Sequence, residues 1–100
     1  MLKQLSIYAE NKKGALQVMT NALYEAGINI WGSVTNDGAE YGINRMVVSD
    51  PDKAKEVLTE KGYLCRFVDV LAVEIEDKPG ALNTLLTALL DSNVNVDYTY

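Results

Sequence analysis

The sequence predicts an α+β fold: a four-stranded antiparallel sheet with two helices on one face, followed by the first half of the same unit. Three observations lead there. The first is a repeat. Leu5-Ser-Ile-Tyr-Ala-Glu-Asn-Lys-Lys-Gly14-Ala-Leu16 returns as Leu71-Ala-Val-Glu-Ile-Glu-Asp-Lys-Pro-Gly80-Ala-Leu82. The match continues in Ala22-Leu23 against Ala88-Leu89, and in Ile28-Asn29-Ile30 against Val94-Asn95-Val96. A repeat of this length is one folding unit used again. The second is that the apolar period switches between two and 3.6 in the order β-α-β-β-α-β, then β-α-β. The third is that no Pro/Gly/Ser-rich connector separates the copies, so they should pack as neighbours. The expected units are residues 1–67 and 68–100.

The elements follow in chain order. Residues 3–9 alternate, with Leu5, Ile7 and Ala9 on one face and Gln4, Ser6 and Tyr8 on the other, as in a half-buried strand. From Gly14 the period becomes helical. Ala15, Met19, Ala22 and Ala26 form a stripe widened by Leu16 and Leu23. Gly27 stands where the helix reverses, and Asn93 stands at the matching place in the second copy. A left-handed helix terminus favours these two residue types. Ile28, Ile30 and Val34 read as one face of a second strand, ended by the hairpin signal Asn36-Asp37-Gly38. A third strand spans roughly residues 40–48. Ser49-Asp50-Pro51 opens a second helix with a capping side chain followed by proline. Ala54, Val57 and Leu58 give that helix its apolar stripe, and Gly62 ends it. Residues 63–67 form a fourth strand that runs into the next copy. The first unit is thus the ferredoxin-like split βαβ arrangement. Helices on one face leave the other face, or an edge, to be used.

Composition narrows the function. Of 100 residues, 48% are apolar and 23% charged, the balance of a globular chain, and the net charge of −5 argues against a polyphosphate partner. Apolar stretches are too short to span a bilayer, and no signal segment opens the chain. The lone Cys65 fits a reducing compartment, so a cytoplasmic protein is expected. The sequence has no histidine, the commonest general base and metal ligand. No zinc cluster can be assembled, and no carboxylate spacing marks a working pair. Neither an enzyme nor a cofactor is expected.

Glu10-Asn-Lys-Lys-Gly-Ala-Leu16 and Glu76-Asp-Lys-Pro-Gly-Ala-Leu82, each followed by the Ile/Val-Asn-Ile/Val triplet, resemble ACT domains, small regulatory modules that bind amino acids. The resemblance covers the whole chain, and the pairing is similar to small proteins built only of tandem ACT domains. It implies a free amino acid as ligand, held between the strand-to-helix loop of one domain and facing elements of a partner. By position, Asn11, Gly14, Ala15, Leu16 and Asn29 would contact it in the first copy. Asp77, Gly80, Ala81, Leu82 and Asn95 would do so in the second. The physics of such a turn agrees, because first-turn N–H groups lack helical partners and can hold a carboxylate. Lys13 departs from the proline usual before the glycine, which the second copy keeps as Pro79. The second copy also lacks its last strands, so the expectation is a truncated piece of a longer protein or completion by another chain.

Plainer roles stand beside these. Asn11 and Asp77 can simply cap their helices, and the glycines can serve only the tight turn. Asn29 and Asn95 can contact a partner sheet. Trp31, on the same face as Asn29, is expected at an interface, as large exposed aromatics often are. The leading reading is an amino-acid-binding regulatory module that works through domain or subunit interfaces, as a homo-oligomer, most simply a dimer. The alternative is an assembly module of the same fold with no ligand. RNA binding would need a basic face with stacking aromatics, and Tyr41-Gly-Ile-Asn-Arg-Met-Val-Val is no such motif.

Overall fold

The alternation at the start of the chain becomes β1 (Leu2–Glu10), with Leu5 and Ile7 wholly buried under the helices. The structure is a computed structural model that describes residues 1–10, 12–37 and 41–100, with Asp37 described by its backbone alone. Asn11 and the Gly38 hairpin position lie outside the described residues. The further elements are α1 (Ala15–Glu25), β2 (Ile30–Asp37), β3 (Tyr41–Val48), α2 (Pro51–Glu60), β4 (Leu64–Val70) and α3 (Ala81–Asp91). The strands form one antiparallel sheet in the order β2-β3-β1-β4. Pairing of Leu2 with Val70 carries β4 three residues beyond the span the sequence suggested.

The core lies between the sheet and the first two helices. Met19, Ala22 and Leu23 enter it from α1, Ala54 and Leu58 from α2, and Met46, Val48 and Cys65 from the strands. Asp50 caps α2, its carboxylate accepting from the Lys53 N–H at 3.2 Å, and Pro51 fills the first turn. The three helices among the described residues end alike. Gly27 at φ 74°, Gly62 at φ 93° and Asn93 at φ 60° take the left-handed conformation. The residue after each donates back to the preceding turn, as Ile28 to Leu23 and Val94 to Leu89. This is the Schellman closure, in which asparagine is the usual substitute for glycine.

One strand departs from simple alternation. Ile30 pairs with Val48 but Gly32 pairs with Val47, so Trp31 is an extra residue in β2. Such a bulge reverses which face the following residues take. Ile30 still packs on the core, but Val34 pairs with Arg45 on the open face and does not join Ile28 and Ile30.

In the second copy α3 forms, yet residues 71–76 and 94–100 join no ladder among the described residues. The topology explains this. In the sheet order, β1 and β2 are not neighbours, because β3 lies between them. Their counterparts in the second copy therefore cannot pair with each other.

Candidate functional site

The two repeated turns are the same object built twice. Gly14 at φ 82° and Gly80 at φ 87° each cap a helix from the left-handed region, where a Cβ is strained. A Cβ on either glycine would meet nothing within 4 Å, so backbone conformation is what calls for glycine, and the space beside it is open. The Lys12 carbonyl accepts from the Ala15 N–H at 3.1 Å, and the Lys78 carbonyl from Ala81 at 3.2 Å. Gly14 and Gly80 carbonyls accept from Val18 and Thr84. In the second copy this leaves the N–H groups of Leu82 and Asn83 without an acceptor among the described residues. Leu16 and Gln17 occupy the same places in α1. Two outward donors at a positive helix end suit a carboxylate. Beside them Leu16 and Leu82 are each 48% exposed, an apolar flank to the same opening. Lys12 with Glu10 and Lys78 with Glu76 repeat as exposed ion pairs at 3.6 and 2.8 Å, which add little energy.

Capping by Asp77 is not realised. The cap position is Gly80, and the exposed Asp77 side chain makes no hydrogen bond among the described residues. The asparagines stand elsewhere. Asn29 lies past the far end of α1, its N–H donating to Ser49 Oγ and its carbonyl accepting from Ser49 N–H, both at 2.9 Å. The 11 residues of α1 separate it from Gly14 by about 16 Å of helix rise. Asn95 is likewise across α3 from Gly80, with its Nδ2 donating to Asp97 Oδ1 at 3.2 Å. The structure thus gathers Gly14, Ala15 and Leu16, and separately Gly80, Ala81 and Leu82, but not the asparagine of the same copy. Trp31, 61% exposed, sits at the bulge of edge strand β2. Among the described residues no acidic or cysteine cluster could hold a metal.

Two polar features were not foreseen. Asn44 faces the helices and is 4% exposed. Its Nδ2 donates to Thr35 Oγ1 at 2.7 Å, while its Oδ1 has no partner. A buried orphan acceptor is costly. It lies opposite Ile7, on the strand half that leads to the first glycine turn. The second feature is Gln4, wholly buried on the face away from the helices. Its Nε2 donates to the Tyr98 hydroxyl at 3.0 Å and to Ser6 Oγ at 3.3 Å, and its Oε1 accepts from the Tyr100 hydroxyl at 2.6 Å. Arg45 stacks over the Tyr98 ring at 4.3 Å. Burial pushes the Tyr100 phenol above its ordinary pKa, helped by Tyr98 and opposed by Arg45. The end of the second copy is thereby latched onto the open face of the first sheet. The spacing of Tyr98 and Tyr100, which puts both on one side of an extended segment, was the available signal.

A family model for an ACT domain pair matches residues 1–100. The chain belongs to the ACT domain pair family. ACT domains are regulatory modules that often bind amino acids and commonly oligomerise. Among solved structures, a protein from Bacteroides thetaiotaomicron is 37% identical with a TM-score of 0.94, over 99% of this chain and 69% of that one. The ligand-free regulatory subunit of aspartate kinase from Thermus thermophilus shares the fold at 15% identity and TM-score 0.75, over 96% of this chain and 73% of its own. Aspartokinase α and β subunits do so at 15% and 0.65, over 98% and 78%. No curated protein matches the sequence. Among the described residues no helix is long and apolar enough to cross a membrane.

Proposed function

We propose that this ACT domain pair is a non-catalytic regulatory module that binds a free amino acid at its glycine turns and signals through a domain or subunit interface. The observation that carries the reading is the duplicated helix start: a left-handed glycine with open space beside it and, in the second copy, first-turn N–H groups without an acceptor among the described residues. Those donors take the ligand's carboxylate. The ammonium group then needs an acceptor, and Asn29 or Asn95 stands too far along its own helix to serve within one copy. The site is therefore completed across an interface, with the turn of one unit facing the asparagine of another. Trp31 on the edge strand belongs to that interface. The units are residues 1–67 and 68–100, working in the cytoplasm as a homo-oligomer without a cofactor.

A ligand that binds only the folded state raises the melting temperature by mass action. Screening each free amino acid by thermal shift, with the oligomer mass recorded, is expected to give one selective stabiliser that Asn29→Ala abolishes. A stable oligomer indifferent to every amino acid would favour ligand-independent assembly instead.

A further inference from the structure

The sheet face away from the helices carries a row of charge that the glycine turns do not use. The chain has two arginines against seven lysines, with a net charge of −5. Both arginines fall on one row of the sheet. Ser6 of β1 pairs with Arg45 of β3 on one side and with Arg66 of β4 on the other. Residues directly opposite one another share a face, and Ser6 lies on the same side of β1 as Gln4. With neighbouring strands just under about 5 Å apart, the two arginines stand about 10 Å apart at the backbone. Two arginine side chains close a gap of that size.

Neither arginine forms an ion pair among the described residues, where the pairs are made by Lys3, Lys12 and Lys78. The Arg45 guanidinium lies 4.3 Å from the centre of the Tyr98 ring. Stacking occupies the face of the group and leaves the N–H donors along its edge to bond. Between the arginines, Ser6 is 6% exposed, and its Oγ accepts from Gln4 Nε2 at 3.3 Å. That bond leaves the Ser6 hydroxyl proton to be donated. Val34 opposite Arg45, and Leu64 and Val68 on either side of Arg66 in β4, frame the row with apolar surface. Like charges at this spacing repel until an anion stands between them, and apolar surroundings strengthen the pairing that results. We propose that Arg45, Ser6 and Arg66 form an anion site on the open face of the first sheet, separate from the glycine turns, for a small dianion. Each guanidinium fork matches the oxygens of a carboxylate or phosphate group, and the Ser6 hydroxyl donates at the centre. The acidic charge of the whole chain argues against a polyanion. The Tyr98 ring walls the site beside Arg45, so the fastened end of the second copy takes part in it.

The test titrates the protein with inorganic phosphate and, separately, with succinate, at ionic strength held constant with sodium chloride, and follows backbone amide resonances. Expected are saturable shifts at Ser6, Arg45 and Arg66. Saturation by phosphate assigns the site to one group gripped by both arginines, and saturation by succinate assigns it to two carboxylates, one on each. Arg66→Gln, at an exposed position, should weaken binding about tenfold or more, the loss of one charged hydrogen-bonding partner. Arg45→Lys, which keeps the charge but not the fork, should weaken it as well. Unmoved resonances of Leu5 and Met46 in both variants show that the fold is kept. The proposal is overturned if neither anion saturates, if Arg66→Gln binds as the unaltered protein does, or if the shifts fall at the glycine turns instead.

Discussion

The same residues behave oppositely in the two halves of this protein. Leu5 is wholly buried while Leu71, its counterpart, is 63% exposed, and Ile7 and Val73 differ in the same sense. Local structure is indifferent to this. Both helices start at a left-handed glycine, and both end in a Schellman closure at Gly27 or Asn93. Turns and helices are therefore specified within about fifteen residues, whereas the ladder is a property of the whole unit. A β-α-β segment whose strands are not neighbours makes its helix but cannot make its sheet.

The sharpest way to break this comparison is to cut the same side chain in both copies. Leu5→Ala should cost about 2–5 kcal/mol, the range for a fully buried leucine. Leu71→Ala should cost less than about 1 kcal/mol, the range for exposed sites. Equal losses in urea denaturation would mean that the second copy has a core after all.

Next in size is the latch that fastens the end of the second copy to the first sheet. Gln4→Leu strands two tyrosine hydroxyls and should cost about 1–3 kcal/mol, with faster amide exchange across residues 94–100. Its pH dependence has a definite sign. The Tyr100 phenol is raised from 10.0 in the folded protein, so the folded state keeps its proton longer than the unfolded chain. Stability is full below pH 10 and falls as pH rises through the raised folded value. Melting followed upward from pH 9 should show this decline, reduced in Tyr100→Phe.

Smallest is the effect of the turns. Gly14→Ala and Gly80→Ala meet no atom within 4 Å, so only the left-handed backbone resists, at about 1 kcal/mol. The Gly14 variant should lower the global melting temperature. The Gly80 variant should loosen α3 in hydrogen exchange and leave that temperature almost unchanged.

These contrasts also mark what could be read from the sequence. Repeated glycines, the Asp50-Pro51 helix start and the stripe of Met19, Ala22 and Leu23 are local signals, and the fold follows from them. The phase change at Trp31 was hidden, because Ile30 and Val34 read as one face unless the extra residue is known. Gln4 was hidden for a different reason. A polar residue on the outward side of a strand looks solvated, and only the packing of Tyr98 and Tyr100 buries it. At the site, the glycine turns were legible from the repeat, but the distance from Gly14 to Asn29 depends on the length of α1. Under the proposed function, that distance calls for two units to complete the site.

The claim that the glycine turns are the binding element is tested most directly by following backbone amide resonances while each free amino acid is titrated in. The account predicts that one amino acid shifts Leu16 and Gln17, or Leu82 and Asn83, first and furthest, and that Asn29→Ala weakens the response. Shifts confined to other elements, or none with any amino acid, would contradict it.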